Sequence, residues 1–507
     1  MKTHLLSIDI GTSGLKVLLL NCESGEYHTV TGSYTPETPR RGWAEQNPEV
    51  WWNTLCSVLP SLLKQANVSA ENIAAVGVDG VSWTPVCLSA EGVPLFPAPL
   101  WYDTRAEKQC RDIRRIVGEE SCFHTSGNPV QPYYTLPKVL WLQEHSKEIF
   151  LSVRHILTSN GYLVYRLTGE FTQDDCQAYG WPFFDMEKGT MNGTMAEKLA
   201  FDLSLIPPVV KSASIAGTVS SSAAKQCGLC PGTPVAAGGL DATCGAAGAG
   251  VILSGTVHEQ SGSAGGMSVC SSACAPVRNL ILSRHIVPGQ YLLQGGTVGG
   301  GNLIRWLSTI LHEPADTSDP QARFDRAMEE AARVPAGSDG LLFLPYMAGE
   351  RSPIWNPDAC GVFFGLDYTK TRGHLIRSVM EGAAFALRHN LEIIPSVPAD
   401  AVLRAVSGAS SNALWMQIKA DITGHPICAV KSREATGLGC CAMAGVAVGM
   451  YAGFDTALKG RVELDRPFYP QKNTGQIYDD LFARYLSLYE HLRDMMQSTA
   501  PSRSGTR

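Results

Sequence analysis

Asp9 and Asp241 are the carboxylates of this 507-residue chain whose settings best suit chemistry. Asp9 ends an apolar run that begins at Leu5, and it stands just before Gly11-Thr12-Ser13-Gly14. Glycines let a backbone bend with positive φ and approach a ligand closely. Bare N–H groups and small hydroxyls in such a corner cradle phosphate oxygens. A carboxylate there repels phosphate directly, so its useful work is to hold Mg²⁺ or to orient water. An Asp that only stabilises its own turn is the plainer reading, and the attached glycine–hydroxyl corner outweighs it. A near copy of the corner, Ser261-Gly262-Ser263-Ala264-Gly265, recurs far downstream. Two such hairpin turns imply two related domains that grip one nucleotide between them.

Asp241 follows a tight Gly238-Gly239 turn and opens a run of very small residues, Ala242-Thr243-Cys244-Gly245-Ala246-Ala247. An Asp at a helix start is commonly an N-cap. The functional alternative is a carboxylate at a cleft-facing helix terminus that accepts the proton of a substrate hydroxyl. Phosphoryl transfer needs little covalent help, so such a base aligns the hydroxyl and takes its proton late. The helix N-terminus would also stabilise transferring phosphate charge.

The elements that position these residues follow from hydrophobic periodicity. Leu5 to Ile10 and Leu15 to Leu20 read as strands, with a third at Tyr27 to Tyr34. Pro48 to Ala66 has helical spacing, and Ile73 to Val78 reads as a buried strand ending at Asp79-Gly80. The second half repeats the theme: a glycine hairpin over Thr256 to Val269, a strand at Tyr291 to Leu293, helices at Asn302 to Leu311 and Ser378 to Leu391, a strand at Val402 to Val406 and a helix from Ala413 to Thr423. Strands alternating with helices imply a mixed α/β layer fold. The division between halves is expected in the Gly/Ala-rich stretch from Gly238 to Gly255. Near the C-terminus, Leu481, Phe482, Tyr485, Leu488, Tyr489 and Leu492 form one apolar helix face, and the last ten residues are polar and expected to fray.

Length alone calls for more than one core. A net charge of -6 gives no footprint for nucleic acid or an anionic membrane. No run of about 18 apolar residues suggests a span, and the N-terminus lacks a signal-peptide pattern, so a cytoplasmic protein is expected. The 15 cysteines are scattered, with Cys227 and Cys230 the one C-x-x-C pair, and read as thiols in a reducing compartment. Cys440-Cys441 read as helix core. The 12 histidines show no metal-ligand spacing.

In their order and spacing these motifs resemble the FGGY carbohydrate kinases, from about residue 4 to about residue 450. The carriers are Asp9 to Gly14, Trp43-Ala44-Glu45-Gln46-Asn47-Pro48 with Trp51-Trp52, Leu100-Trp101-Tyr102-Asp103-Thr104-Arg105, Gly238 to Asp241, Phe343 to Pro353, Gly361 to Leu366 and Glu381-Gly382-Ala383. The resemblance implies two actin/hexokinase-like (ribonuclease H-like) α/β domains with an interdomain cleft: a sugar-binding domain over 1–248, an ATP-binding domain over 249–450, and an extension over 451–507. It implies ATP and Mg²⁺, a small sugar as partner, and a homodimer. Position by position, it makes Asp241 the base, Asp9 the metal residue, and Gly11, Thr12, Ser13 and Lys16 the first phosphate site. Gly262 and Ser263 would form the second phosphate loop. Gly408, Ala409 and Asn412 would meet adenosine, with Gln417 a further polar candidate, although Ser407 and Ala409 stand where the family carries glycine.

Among the family's branches the chain most resembles the xylulokinases, which implies a ketopentose such as xylulose as acceptor. Two features depart from that branch: Gly80-Val81-Ser82-Trp83-Thr84 replaces Gly-Gln-Met-His-Gly, and Ala242 replaces Asn after the base. Val81, Ser82, Trp83, Trp101 and Asp103 are the expected sugar contacts. Trp83 either stacks on the sugar or plugs the cleft floor; Asp103 either binds hydroxyls or pairs with Arg105. Glu350-Arg351 is read as an ion pair supporting the interdomain region. The alternatives are a kinase of ribulose, another ketose or a glycerol-like polyol, and an actin-like nucleotide switch without a sugar.

Overall fold

Strand β1 (His4–Ile10) lies mid-sheet because its apolar side chains are buried on both faces, with Leu5, Leu6, Ile8 and Ile10 all inaccessible. The structure, a computed structural model, describes residues 2–499 except 263, 312–318, 396 and 407. β1 turns into β2 (Gly14–Asn21) and then β3 (Tyr27–Ser33), a continuous antiparallel meander. Helix α1 (Glu49–Ala66) buries Trp51, Trp52, Leu55, Leu59 and Leu62 and stops at Asn67, whose left-handed φ of 53° closes the last turn. It delivers the chain to β4 (Ile73–Gly80), parallel to β1. Further on in the first half come helix α2 (Ser159–Thr168), β5 (Ile215–Thr218), β6 (Pro234–Ala236), the short β7 (Gly239–Leu240) and helix α3 (Asp241–Gly248). The sheet order is β5-β6-β4-β1-β2-β3, with β7 also on β4.

The second half contains β8 (Val257–Ser261), β9 (Gly265–Ser271), β10 (Ile281–Arg284), β11 (Tyr291–Thr297), helices α4 (Gly301–Ile310) and α5 (Arg372–Glu392), β12 (Leu403–Val406), α6 (Ala413–Thr423), β13 (Ile427–Ala429), α7 (Ala435–Ala447) and α8 (Lys472–Thr499). Its sheet runs β10-β11-β9-β8-β12-β13. The two sheets repeat one plan. In each, a glycine hairpin is flanked by a third antiparallel strand on one side and by parallel strands on the other.

Several boundaries differ from the periodicity. α5 begins six residues earlier than Ser378, at Arg372, because Thr371 and His374 form a polar capping box that carries no apolar signal. β11 continues through Gly295 and Gly296 to Thr297. These positions are glycine because a Cβ would stand 2.3 Å from Asn390 and 2.8 Å from Arg351. α8 packs Tyr478, Leu481, Phe482 and Tyr485 into the core of the second half, and the hydroxyl of Tyr346 donates to that of Tyr485 at 2.7 Å. The extension is therefore part of that core; of its expected frayed tail, 500–507 lie outside the described residues and α8 runs to Thr499.

Helices α3 and α7 cross in near backbone contact. A Cβ on Gly248 would lie 1.7 Å from the Ala435 carbonyl oxygen, and one on Gly439 1.9 Å from that of Cys244. α7 also lies on the first sheet, with Leu438, Cys441 and Ala444 against Leu5, Leu18, Leu20 and Ala75. Each large apolar side chain so enclosed contributes about 1.5–3 kcal/mol. No described helix is long and apolar enough to cross a membrane.

Candidate active site

Register brings the acidic residues together. Asp9 on β1 lies opposite Asp79 on β4, and Asp79 lies opposite Gly239 on β7, two residues before Asp241. Three carboxylates thus gather where adjacent parallel strands end. Asp9 and Asp241 are half-buried and Asp79 is wholly enclosed behind them. Burial pushes Asp241 up to about 7, and the Asp9 charge adds to the rise. Burial likewise raises Asp9 to about 6; a hydrogen bond with Asp79 and the Lys16 charge oppose it. Asp79 is raised well above the usual carboxylate range, by burial and then by Asp9. An all-oxygen donor set of this charge at a cleft suits a hard divalent cation such as Mg²⁺, with Asp9 and Asp241 the reachable members. Asp241 Oδ1 accepts from the Ala242 N–H at 2.6 Å, and α3 begins at Asp241 itself, with Leu240 in the cap position. The Asp is therefore inside the helix rather than capping it.

The first glycine corner is closed by Gly11 N–H donating to Gly14 O at 2.9 Å, and a Cβ on Gly11 would meet that oxygen at 2.9 Å. Tyr34 donates its hydroxyl to Gly11 O at 2.8 Å. Thr12 accepts from the indole of Trp101 at 3.0 Å, and Ser13 is exposed. Lys16, expected at phosphate, extends its ammonium to Glu434, 3.0 Å away at the start of α7. In the second corner Gly262 is open, with nothing within 4 Å of a built Cβ, and Ser263 lies outside the described residues. Beneath it, Lys419 pairs with Glu259 at 2.8 Å and donates to Ser261 at 2.9 Å, all three buried. Gly299, Gly300 and Gly301 pack on this corner, and Gly301 N–H donates to Gly262 O at 2.7 Å. The run Val298-Gly299-Gly300-Gly301 was the available sequence signal for that support.

Gly408 is exposed and open at the start of the 3-10 turn Gly408–Ser411, which also contains Ala409. Asn412 caps α6 by accepting from the Trp415 N–H at 2.9 Å. Gln417 donates to Asp421 and to Tyr469 O, both at 2.8 Å.

Among the residues expected to meet a sugar, the loop after β4 is held from below. Val81 N–H donates to Ile10 O, while Val81 O accepts from Ser159 at 2.9 Å and from Gln177, so its polar groups are already spent. Ser82 accepts from the Tyr179 hydroxyl at 3.2 Å. Trp83 is 6% exposed and packs on Tyr134 and Tyr179, with ring centroids 4.6 and 5.5 Å away. It plugs the floor rather than stacking in the open cleft. Its φ of 51° is a left-handed conformation rare for a bulky side chain. Lys138, missed in the sequence although it interrupts the apolar run Leu136 to Trp141, explains how this is held. Its buried ammonium donates to Trp83 O at 2.9 Å, Leu100 O at 2.6 Å and Pro99 O at 3.4 Å. Burial lowers it to about 7.

Asp103 takes the pairing arrangement, not the sugar one. It is inaccessible, and its oxygens accept from Arg105 Nε and Nη2 and from the N–H groups of Arg105 and Ala44. Glu350 and Arg351 form no ion pair: Glu350 accepts from the Val298 and Arg351 N–H groups, both at 2.7 Å, and burial raises it to about 7. The Arg351 guanidinium reaches instead over the Trp101 ring, 5.7 Å from its centroid, and donates to Thr297 O at 3.1 Å.

Residues 4–248 match the N-terminal domain, and residues 267–448 the C-terminal domain, of the FGGY family of carbohydrate kinases. A xylulose kinase of Staphylococcus epidermidis is 28% identical over 98% of both chains. A gluconokinase of Bacillus subtilis is 25% identical over 100% of this chain and 99% of its own. The crystal structure of xylulose kinase from Rhodospirillum rubrum superposes with a TM-score of 0.87 at 27% identity, covering 97% of this chain and 100% of that one. With both domain matches in chain order and the paired sheets in one plan, the chain belongs to the FGGY family of carbohydrate kinases.

Proposed function

We propose that this kinase transfers the γ-phosphoryl group of ATP to a hydroxyl of a ketopentose, xylulose first among them, with Asp241 as the base. The observation that carries the reading is that Asp9 and Asp241 lie at strand ends on either side of β4, beside the Gly11–Ser13 corner and the loop Gly80 to Thr84 that leaves β4. Residues 1–248 serve the sugar, 249–450 the nucleotide, and the reaction belongs to the cytoplasm. The sugar oxygen forms a bond to Pγ as the bond from Pγ to the bridging oxygen breaks, ADP leaves, and the hydroxyl proton passes to Asp241. Ala242 N–H fixes one Asp241 oxygen and leaves the other for that proton. N–H groups of Thr12, Ser13 and the Gly262–Ser263 corner hold the phosphates, with Gly11 shaping the first turn, and Gly408 and Asn412 face adenosine. Mg²⁺, held through Asp9, supplies charge neutralisation on the phosphates. Closure of the halves excludes water and aligns the hydroxyl.

A second reading, an aldonate such as gluconate, is favoured by Arg351, whose guanidinium lies over Trp101 at the cleft with one described hydrogen bond. A coupled ADP-release screen over ketopentoses, aldoses, polyols and aldonates separates the two. Asp241→Ala should lower sugar-dependent turnover by about 10²–10⁴-fold while ATP still binds. Near-normal turnover in that variant would remove Asp241 from the role, and sugar-independent ATP turnover would favour a nucleotide switch.

A further inference from the structure

Asp79, Cys244 and Cys440 meet where β4, α3 and α7 converge, behind the cleft carboxylates. Their ligand atoms all lie within 4.8 Å of one another, and all three residues are 0% exposed. Neither Asp79 oxygen receives a hydrogen bond from any described nitrogen or hydroxyl. A buried carboxylate is ordinarily satisfied by such donors; here its neighbours are a second carboxylate, Asp9, and the Cys440 sulfur. The Ser7 hydroxyl, also buried without a geometric partner, lies beside that same sulfur. A buried carboxyl group with no nitrogen or hydroxyl donor, within 4.8 Å of two thiol sulfurs, is an environment that a cation completes.

The donor types choose the cation. Two sulfurs and one carboxylate suit a borderline-soft divalent ion such as Zn²⁺, and suit Mg²⁺ poorly because it takes oxygen. A tetrahedral ion with bonds near 2.3 Å sets neighbouring sulfurs about 3.8 Å apart, so the thiols need only a small inward rotation. We propose that Asp79, Cys244 and Cys440 form a structural site for a Zn²⁺-class ion, distinct from the Mg²⁺–nucleotide site at Asp9, with the Ser7 hydroxyl as the nearest oxygen for the fourth position. Binding displaces the two thiol protons and the Asp79 carboxyl proton, which leave to solvent as the thiolates and the carboxylate coordinate. The ion ties one strand of the first sheet to both crossing helices. It does so one turn along α3 from Asp241, because residues three apart on a helix share a face.

Co²⁺ is the probe, since thiolate ligation gives it a near-ultraviolet charge-transfer absorption. Full-length chain treated with chelator and reductant should take up one equivalent of Co²⁺ with that absorption, displaced by Zn²⁺ and untouched by a large excess of Mg²⁺. Cys244→Ser and Cys440→Ser should each abolish it, and Asp79→Asn should weaken binding at least about tenfold, a loss worth one factor of ten in the constant. Cys227→Ser, which breaks the Cys227-x-x-Cys230 pair, should leave it intact. No absorption in the wild-type chain, or absorption that survives both serine variants, overturns the proposal. Should the variants fail to fold, X-ray absorption on the Zn²⁺-loaded wild type decides. Two sulfurs with oxygen ligands support the site, and a shell without sulfur or with four sulfurs refutes it.

Discussion

The indole nitrogen of Trp101 donates to the Thr12 hydroxyl at 3.0 Å, so a residue proposed to meet the sugar holds the corner proposed to meet phosphate. The Arg351 guanidinium lies over the same ring from the second half of the chain. Trp101→Phe keeps the ring and removes the bond; Thr12→Val does the same from the other end. Each should lower kcat/KM for the sugar about 2–10-fold, matching a hydrogen bond worth about 0.5–1.5 kcal/mol. The double variant should lose little more than either single one. Fully additive losses in that cycle would mean that the bond does not couple the two loops.

Activity should rise with pH across the neutral range. Asp241 is raised to about 7, first by burial and then by the Asp9 charge, and it accepts a proton only when ionised. The kcat/KM profile of the free enzyme should therefore climb through pH 7 and level off above it. Bound Mg²⁺ adds positive charge beside the pair and should move the kcat limb to lower pH. A profile that falls between pH 6 and 8 would contradict the assignment.

Stability should move the other way. A carboxyl raised by folding binds its proton more tightly in the native state than in the unfolded one, so stability falls as pH rises above the unfolded value, about 3.9. Asp79 is such a case, enclosed and beside Asp9, both of which raise it. In chelator-treated protein, Asp79→Asn should match the wild type in Tm at the acid end. It should then gain on it with rising pH, by at most about 1.4 kcal/mol per pH unit. A gap that does not widen would show that Asp79 is not held uncharged.

Lys138→Met should damage the sugar side selectively. Three carbonyls lose their donor, and each buried orphan costs about 1–3 kcal/mol. Tm should drop by several degrees, and the surviving enzyme should show a raised sugar KM with unchanged ATP affinity, because Trp83 and Leu100 both hang from that ammonium. Equal losses for both substrates would point to general unfolding instead.

Gly439→Ala should be among the most damaging small substitutions available. Its methyl group would need to sit 1.9 Å from a backbone oxygen, which no side-chain adjustment relieves. A loss on the order of 3 kcal/mol or more is expected from such overpacking. Gly193→Ala, where nothing lies within 4 Å, is the control and should be near neutral. Denaturant unfolding of both variants makes the comparison.

The sequence carried the strands and helices that announce themselves by apolar period: β1, β2, α1, β4 and α6 stand within a residue or two of their periodicity. It carried both glycine corners as hairpin turns, because glycine and small hydroxyls mark such turns locally. It did not carry what depends on who faces whom. Asp79 looked like the end of a strand and proved to be the partner of Asp9. Lys138 drew no reading from the sequence and proved to be the clamp under Trp83. Lys16 and Asp103, read beside ligands, are engaged with Glu434 and Arg105. Pairing across 418 residues, as in Lys16 and Glu434, leaves no trace in local spacing.

The glycine crossing of α3 and α7 has a mechanical meaning. Helices in backbone contact cannot slide past each other, because side chains that would act as bearings are missing there, so relative motion of the two halves is limited to rotation about that point. Asp241 opens one of the two helices and Glu434 stands at the head of the other. The proposed proton acceptor therefore rides on the fulcrum itself. In the proposed closure the distant corners would move far and Asp241 hardly at all, which would keep its aim fixed as the cleft shuts.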